Sequence, residues 1–242
     1  MKYLCVMYHD IYPDDHSGYA DIGKSATSYH VSLSRFQQHL EIYKEHGLSF
    51  IAEADLVNNN QDNIHSVLIT FDDGWQGSLT IAADLLKSQN IPAVYFITTN
   101  FIGMDYFANK SEIKDAHQKG FIIGSHGVTH RMLSSLNISE IEEELTTSKS
   151  ILEDIIGEEV NSFSLPGGAG DNRVFRIAQD LGYKYIYTSD IAINPTRKDI
   201  RNIARVGLMD KTPDDVVHRW ADFDVAKEWR KKTLLSIPKT LL

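Results

Sequence analysis

The sequence predicts an α/β fold whose mostly parallel sheet is wound as an incomplete or distorted (β/α) barrel, and two observations predict it. Short apolar runs rich in β-branched and aromatic residues recur at residues 2–8, 66–71, 92–98, 121–124, 161–165, 184–188 and 203–208, the pattern of strands. Between them lie segments with apolar residues at helical spacing, so that strand and helix alternate along nearly the whole chain. Seven strands suit such a barrel, and an open doubly wound sheet is the alternative.

The elements follow in order. The run from Lys2 to Tyr8 opens the chain, and residues 10–31, with Pro13, Gly18 and Gly23, form a long polar connection that suits either a lid over a site or a plain surface loop. Phe36, Leu40 and Tyr43 mark a helix stopped by Gly47, and Asn58 to Asn63 make a polar turn before the second strand. Leu79, Ala82, Ala83 and Leu86 mark the next helix, and Ile113 and Ala116 another that stops at Gly120. Ile141, Leu145, Ile151, Leu152 and Ile155 form a longer one ending at Gly157, and Val174, Ile177, Ala178 and Leu181 one ending at Gly182. Beyond Phe223 the tail carries Lys227, Arg230, Lys231 and Lys232 among apolar residues and reads as a terminal helix packed on its own domain.

At 242 residues the chain suits one domain spanning 1–242, and with 42% hydrophobic and 24% charged residues its composition is that of a globular protein with a sizeable core. The formal charge of −9 disfavours nucleic acid as a partner. The single cysteine, Cys5, forms no internal disulfide and excludes a multi-cysteine zinc site. No apolar stretch approaches the roughly 20 residues that span a bilayer, and Met1-Lys2 passes straight into a strand, so the expected location is cytoplasmic.

In such folds, functional groups collect just beyond the carboxyl ends of the strands, which points to His9, Asp72, Asp73, His126 and Pro166. The second strand runs directly into Asp72-Asp73-Gly74. Adjacent side chains there point to different sides, so one carboxylate can hold a metal while the other faces the reacting water. A helix cap near Trp75 is the ordinary alternative. The fourth strand runs into His126-Gly127-Val128-Thr129-His130, and on one helical turn that spacing brings both imidazoles within reach of a common ion. Asp73, His126 and His130 together make two imidazoles and one carboxylate with positions left open, a catalytic set. Zinc suits these ligands, and cobalt, nickel, ferrous iron or manganese can occupy them too. The fifth strand enters Pro166-Gly167-Gly168, a rigid corner whose exposed amides suit an oxyanion, or else an ordinary tight turn.

With these residues in view, the sequence resembles the polysaccharide deacetylase family, the NodB-homology group of carbohydrate esterases, in motif order and spacing over most of the chain. Thr70-Phe71-Asp72-Asp73-Gly74 is similar to its first motif and His126-Gly127-Val128-Thr129-His130 to its second, while Met7-Tyr8-His9-Asp10 and Tyr29-His30-Val31-Ser32 resemble one branch of the family. The resemblance implies a NodB-like, distorted (β/α)7 barrel, Asp72 as catalytic base, and Asp73, His126 and His130 as ligands of one divalent ion. Two departures stand out. Phe163-Ser164-Leu165-Pro166 lacks the arginine that often precedes the family's proline, which leaves Arg173 or Arg205 to orient Asp72. Ile203 to Asp210 lacks the late histidine that serves as general acid; His218 lies in a helix-like segment, and His9 is the better placed substitute.

The function so implied is metal-dependent removal of the N-acetyl group from an N-acetylated sugar or polysaccharide. Asp72 serves as base, the Gly167 amide helps hold the oxyanion, His9 donates a proton, and Pro166, Arg173 and Arg205 surround the substrate. Two alternatives accompany it: a catalytically silent carbohydrate-binding protein on the same fold, and a ferrous oxygenase, against which the alternating β/α organisation speaks.

Overall fold

A computed structural model of the chain describes residues 2–15, 28–57, 65–168, 170–196 and 202–226. The centre of the 10–31 connection, the Asn58 to Asn63 turn and the basic tail from Lys227 to Lys232 lie outside the described residues.

Seven strand positions carry the sheet. They are β1 (Lys2–Tyr8), β5 (His65–Phe71), β6 (Ala93–Ile97), β7 (Ile122–Ser125), β8 (Ser162–Ser164), β9 (Tyr185–Tyr187) and β11 (Val206–Gly207). β1, β5, β6, β7, β8 and β9 pair in that order, all parallel. The sheet then curls until its edges meet. The Ile203 N–H donates to Ile186 O at 2.8 Å beside β9, whereas Val206 pairs with Val6 of β1 and the Leu208 N–H donates to Met7 O at 2.9 Å. The expected strand over 203–208 is therefore real but broken, because its first half serves one neighbour and its second half the other. Four two-residue strands complete the set: β2 (Ile11–Tyr12) and β3 (Val31–Ser32) pair with each other, β4 (Ser49–Phe50) joins β5, and β10 (Asn194–Pro195) runs antiparallel to β1.

The helices are α1 (Leu33–Glu45), α2 (Ala83–Ser88), α3 (Lys110–Gln118), α4 (Ile138–Ile156), α5 (Asn172–Asp180) and α6 (Asp214–Ala221). Gly47, Gly120, Gly157 and Gly182, the expected helix stops, all have positive φ. Ahead of α2, Ser78–Ala82 winds as a π-helical turn. Side-chain alternation along the strands separates two cores. Leu4, Val6, Val67, Ile69 and Phe71 point out to the helices, while Tyr3, Cys5, Leu68, Val94, Phe96 and Tyr187 fill the barrel interior, where the free Cys5 thiol is fully buried.

Candidate metal centre and active site

The Asp72-Asp73 turn is built by continuing the β5 ladder one residue too far. The Asp72 N–H still bonds Tyr8 O at 2.9 Å, after which Asp73 (φ 73°) and Gly74 (φ 89°) turn the chain through the left-handed region. Only glycine suits position 74, because a Cβ there would lie 3.2 Å from the Ile97 side chain. The turn is not spent on capping a helix. The Ser78 N–H is taken by Asp10 Oδ1 at 2.9 Å, and the Asp73 carboxylate turns elsewhere.

Asp73 Oδ1 lies 3.4 Å from His126 Nε2 and 3.1 Å from His130 Nε2, and one donor atom from each residue lies within 4.8 Å of the others. The two histidines are not on a helical turn, as the spacing led us to expect. Residues 126–130 form a loop after β7, with Gly127 at φ 77° and His130 at φ 61°. The remaining atoms are committed in ways that aim the triad. His126 Nδ1 donates to Ser164 O at 2.8 Å, which leaves Nε2 as the lone-pair nitrogen, and Trp75 Nε1 donates to Asp73 Oδ2 at 3.1 Å. Asp73 Oδ1 is buried without a hydrogen-bond donor among the described residues. A buried carboxylate oxygen facing two imidazole nitrogens is a donor set that suits a divalent cation.

Asp72 faces the barrel interior. Arg205 grips it in a bidentate pair, Nη1 to Oδ1 at 2.7 Å and Nη2 to Oδ2 at 2.8 Å, and also donates to Ser164 Oγ at 2.7 Å and to Thr188 O at 3.0 Å. The guanidinium is 1% exposed, with the rings of Phe96 and Tyr187 beside it at 5.6 and 5.7 Å. Burial pushes the Asp72 carboxyl up, but the Arg205 charge and hydrogen bonds together with the charges of His126 and His9 outweigh it, so the group stays below its ordinary range. Asp72 Oδ2 is 3.9 Å from His126 Nε2, next to the triad yet outside it.

The other expected residues separate. Arg205 lies beneath Asp72, closed off from solvent. Arg173 is tied at the start of α5 to Asp171 and to the carbonyls of Ser134 and Leu136, so it braces a turn and does not orient Asp72. Pro166 is buried, 3.7 Å from the point where a Cβ on Gly127 would sit, and so packs under the histidine loop; Gly167 is exposed at φ 69° beside Met132. His9 ends β1 against Tyr29, ring centroids 4.8 Å apart, with its Nδ1 buried and unpaired among the described residues. Burial lowers its pKa, and the charges of Asp73 and Asp72 partly oppose that. His218 is in α6, bonded through Nδ1 to His46 Nε2 at 2.9 Å.

Sequence reasoning missed Ser164, Trp75 and Glu144. Ser164 stands where an arginine was looked for, and it bonds both Asp72 and the arginine that replaces it. A recess of about 730 Å³ opens at the amino ends of β7, β8 and β9, lined by Glu53, Ile122, Ser162 and Tyr185; it contains none of the triad residues.

Comparison with known proteins agrees with this architecture. The chain is 24% identical over 193 residues to YxkH of Bacillus subtilis, covering 78% of this chain and 65%, just under two thirds, of that protein. It is 26% identical over 220 residues to the poly-beta-1,6-N-acetyl-D-glucosamine N-deacetylase of Staphylococcus aureus, covering 83% of this chain and 75% of the relative. The fold matches that of the Streptococcus pyogenes deacetylase PplD with a TM-score of 0.75 at 21% identity, over 90% of this chain and 96% of the other. The polysaccharide deacetylase family model matches residues 59–186, a span that holds both the Asp72-Asp73 turn and the histidine loop, and the chain belongs to that family.

Proposed function

We propose that this chain is a metal-dependent carbohydrate N-deacetylase, one catalytic domain over residues 1–242, which hydrolyses the acetamide of an N-acetylated sugar or polysaccharide and releases acetate. The observation that carries this reading is the pairing of Asp72 with the buried Arg205 directly beside the converging Asp73, His126 and His130. It answers the missing arginine that motivated the silent-binder alternative. The relative from S. aureus is named for deacetylating an N-acetylglucosamine polymer, and PplD was solved in complex with acetate, which supports the substrate class and the product.

In this reading Asp73, His126 and His130 hold one divalent ion, with zinc the first choice and cobalt, nickel, iron or manganese able to share the donors. When bound, the ion supplies Lewis acidity to the amide carbonyl and to water. Asp72, kept ionised by Arg205, takes the proton of the attacking water. Exposed Gly167 offers its N–H to the developing oxyanion beside the buried Pro166, which holds that corner in place. His9 gives a proton to the departing amine; burial favours its neutral form, and the charges of Asp73 and Asp72 partly oppose that.

Two substitutions test the division of labour. Asp72→Asn should retain the metal and lose about 10²- to 10⁴-fold in kcat, the usual contribution of a positioned base, whereas Asp73→Ala should lose the metal itself. Metal content by elemental analysis and acetate release from N-acetylglucosamine oligomers read both. Undiminished acetate release by Asp72→Asn would remove it as the base.

A further inference from the structure

The His126 to His130 loop has no helical hydrogen bonds of its own, and His130 sits in the left-handed region that disfavours a side chain. Its conformation is imposed from two sides. On one side the turn that follows β6 reaches across: the Thr99 N–H donates to Gly127 O at 3.1 Å and the Asn100 N–H to Val128 O at 3.0 Å. On the other, α4 presents a single carboxylate. Glu144 Oε2 accepts the N–H groups of Val128 at 2.7 Å and Thr129 at 3.0 Å, and Oε1 accepts the Thr129 hydroxyl.

Glu144 is 3% exposed, and the chain is shaped to admit it. A Cβ on Gly127 would lie 3.1 Å from Glu144 Oε2, so the glycine leaves the space the carboxylate fills. Ser148 Oγ donates to Glu144 O at 2.7 Å and lies 2.7 Å from Ser125 Oγ, which itself accepts the Gly127 N–H at 3.1 Å. This chain of contacts ties α4, β7 and the loop together directly behind the two histidines.

We propose that Glu144 is a positioning residue for the metal centre, its grip on the Val128 and Thr129 amides fixing the separation and aim of His126 and His130. The inference rests on reading Asp73, His126 and His130 as the metal ligands. Glu144 touches two amides, a hydroxyl and, at 3.7 Å, the Arg131 guanidinium, so it acts through the loop and not on the ion. Without it two half-buried amides lose their acceptor, the loop samples other conformations, and the ligands must be re-ordered each time an ion binds.

The test is the affinity of the full chain for Zn²⁺, measured by competition with a chromogenic chelator for the wild type, His126→Ala, Glu144→Ala and Glu144→Gln. The alanine variant should bind Zn²⁺ about 10- to 100-fold more weakly, the usual effect of removing such a supporting partner, and should recover kcat when Zn²⁺ is saturating. Glu144→Gln keeps an acceptor oxygen for the amides and should retain most of the affinity. A folded Glu144→Ala with wild-type affinity overturns the proposal. If that variant does not fold, Glu144→Asp is read in its place: its carboxylate falls one methylene short, so weakened binding supports the proposal and wild-type binding overturns it. Equal binding by the wild type and His126→Ala would instead refute the ligand assignment, which separates the two failures.

Discussion

Burying a carboxylate at the mouth of a barrel is costly unless a cation accompanies it, and for Asp72 that cation is Arg205. The guanidinium binds both carboxylate oxygens and lies beside two adjoining rings, so a lysine cannot reproduce it. Arg205→Lys should therefore lose most of kcat with little change in KM, and Arg205→Ala should in addition cost about 3–5 kcal/mol of stability, because it strands Asp72 as an unpaired buried charge. Steady-state kinetics and urea unfolding measure the two effects, and an Arg205→Lys with wild-type kcat would show that the bidentate geometry is dispensable. Deeper in the interior, Glu53 accepts hydrogen bonds from Ser162 and from Tyr187 at 2.6 Å, yet burial raises its pKa to about 7. The folded chain thus holds this proton more tightly than the unfolded chain. Stability contributed by the protonated group is present at low pH and is lost as pH rises from the ordinary carboxylate range through about 7. Glu53→Gln should remove up to about 3 kcal/mol of that dependence between pH 5 and 8 in urea unfolding; an unchanged slope would place the titration elsewhere.

Elements decide which of these residues meet. Asp73, His126 and His130 were legible because each follows an apolar run, and in a parallel α/β sheet all such positions fall at one end. Arg205 was legible only as one of two arginines, because its contact with Asp72 exists only once residues 203–208 have bridged β9 and β1, a closure that no local pattern encodes. Glu144 was hidden in the run Glu142-Glu143-Glu144, which reads as a solvated helix face, although its spacing from Ile141, Leu145 and Ser148 sets it on the buried side. The two-residue strands were missed because two residues have no period. Close packing between β6 and β7 is also an element-level property. A Cβ on Gly124 would fall 2.6 Å from the Phe96 ring and 2.9 Å from Ser162 O, in the wall that also presents Phe96 to Arg205. Gly124→Ala should cost roughly 1–3 kcal/mol through overpacking and lower the thermal midpoint by roughly 2–4 °C per kcal/mol. A wild-type melting curve would contradict this account of the wall.

At the scale of the whole molecule, the barrel divides its ends by chemistry. The carboxyl ends gather the triad, Asp72 and the Pro166-Gly167 corner, whereas the amino ends of the same strands open onto the recess above Glu53. The alternation of elements made a mostly parallel sheet of seven strands readable but left a barrel and an open doubly wound sheet both standing, and the family resemblance supplied the distorted (β/α)7 barrel. The way the sheet closes was not readable, because it comes from one strand shared between two neighbours. Among the described residues no helix is long and apolar enough to cross a membrane. The most direct measurement is a metal titration of the chelator-stripped full chain, read as acetate release from N-acetylglucosamine oligomers. The account predicts no release without metal, a rate that rises linearly with added Zn²⁺, and a plateau at one equivalent per chain. Full activity in the stripped protein, or a metal-loaded chain that releases no acetate from any N-acetylated sugar, would contradict it.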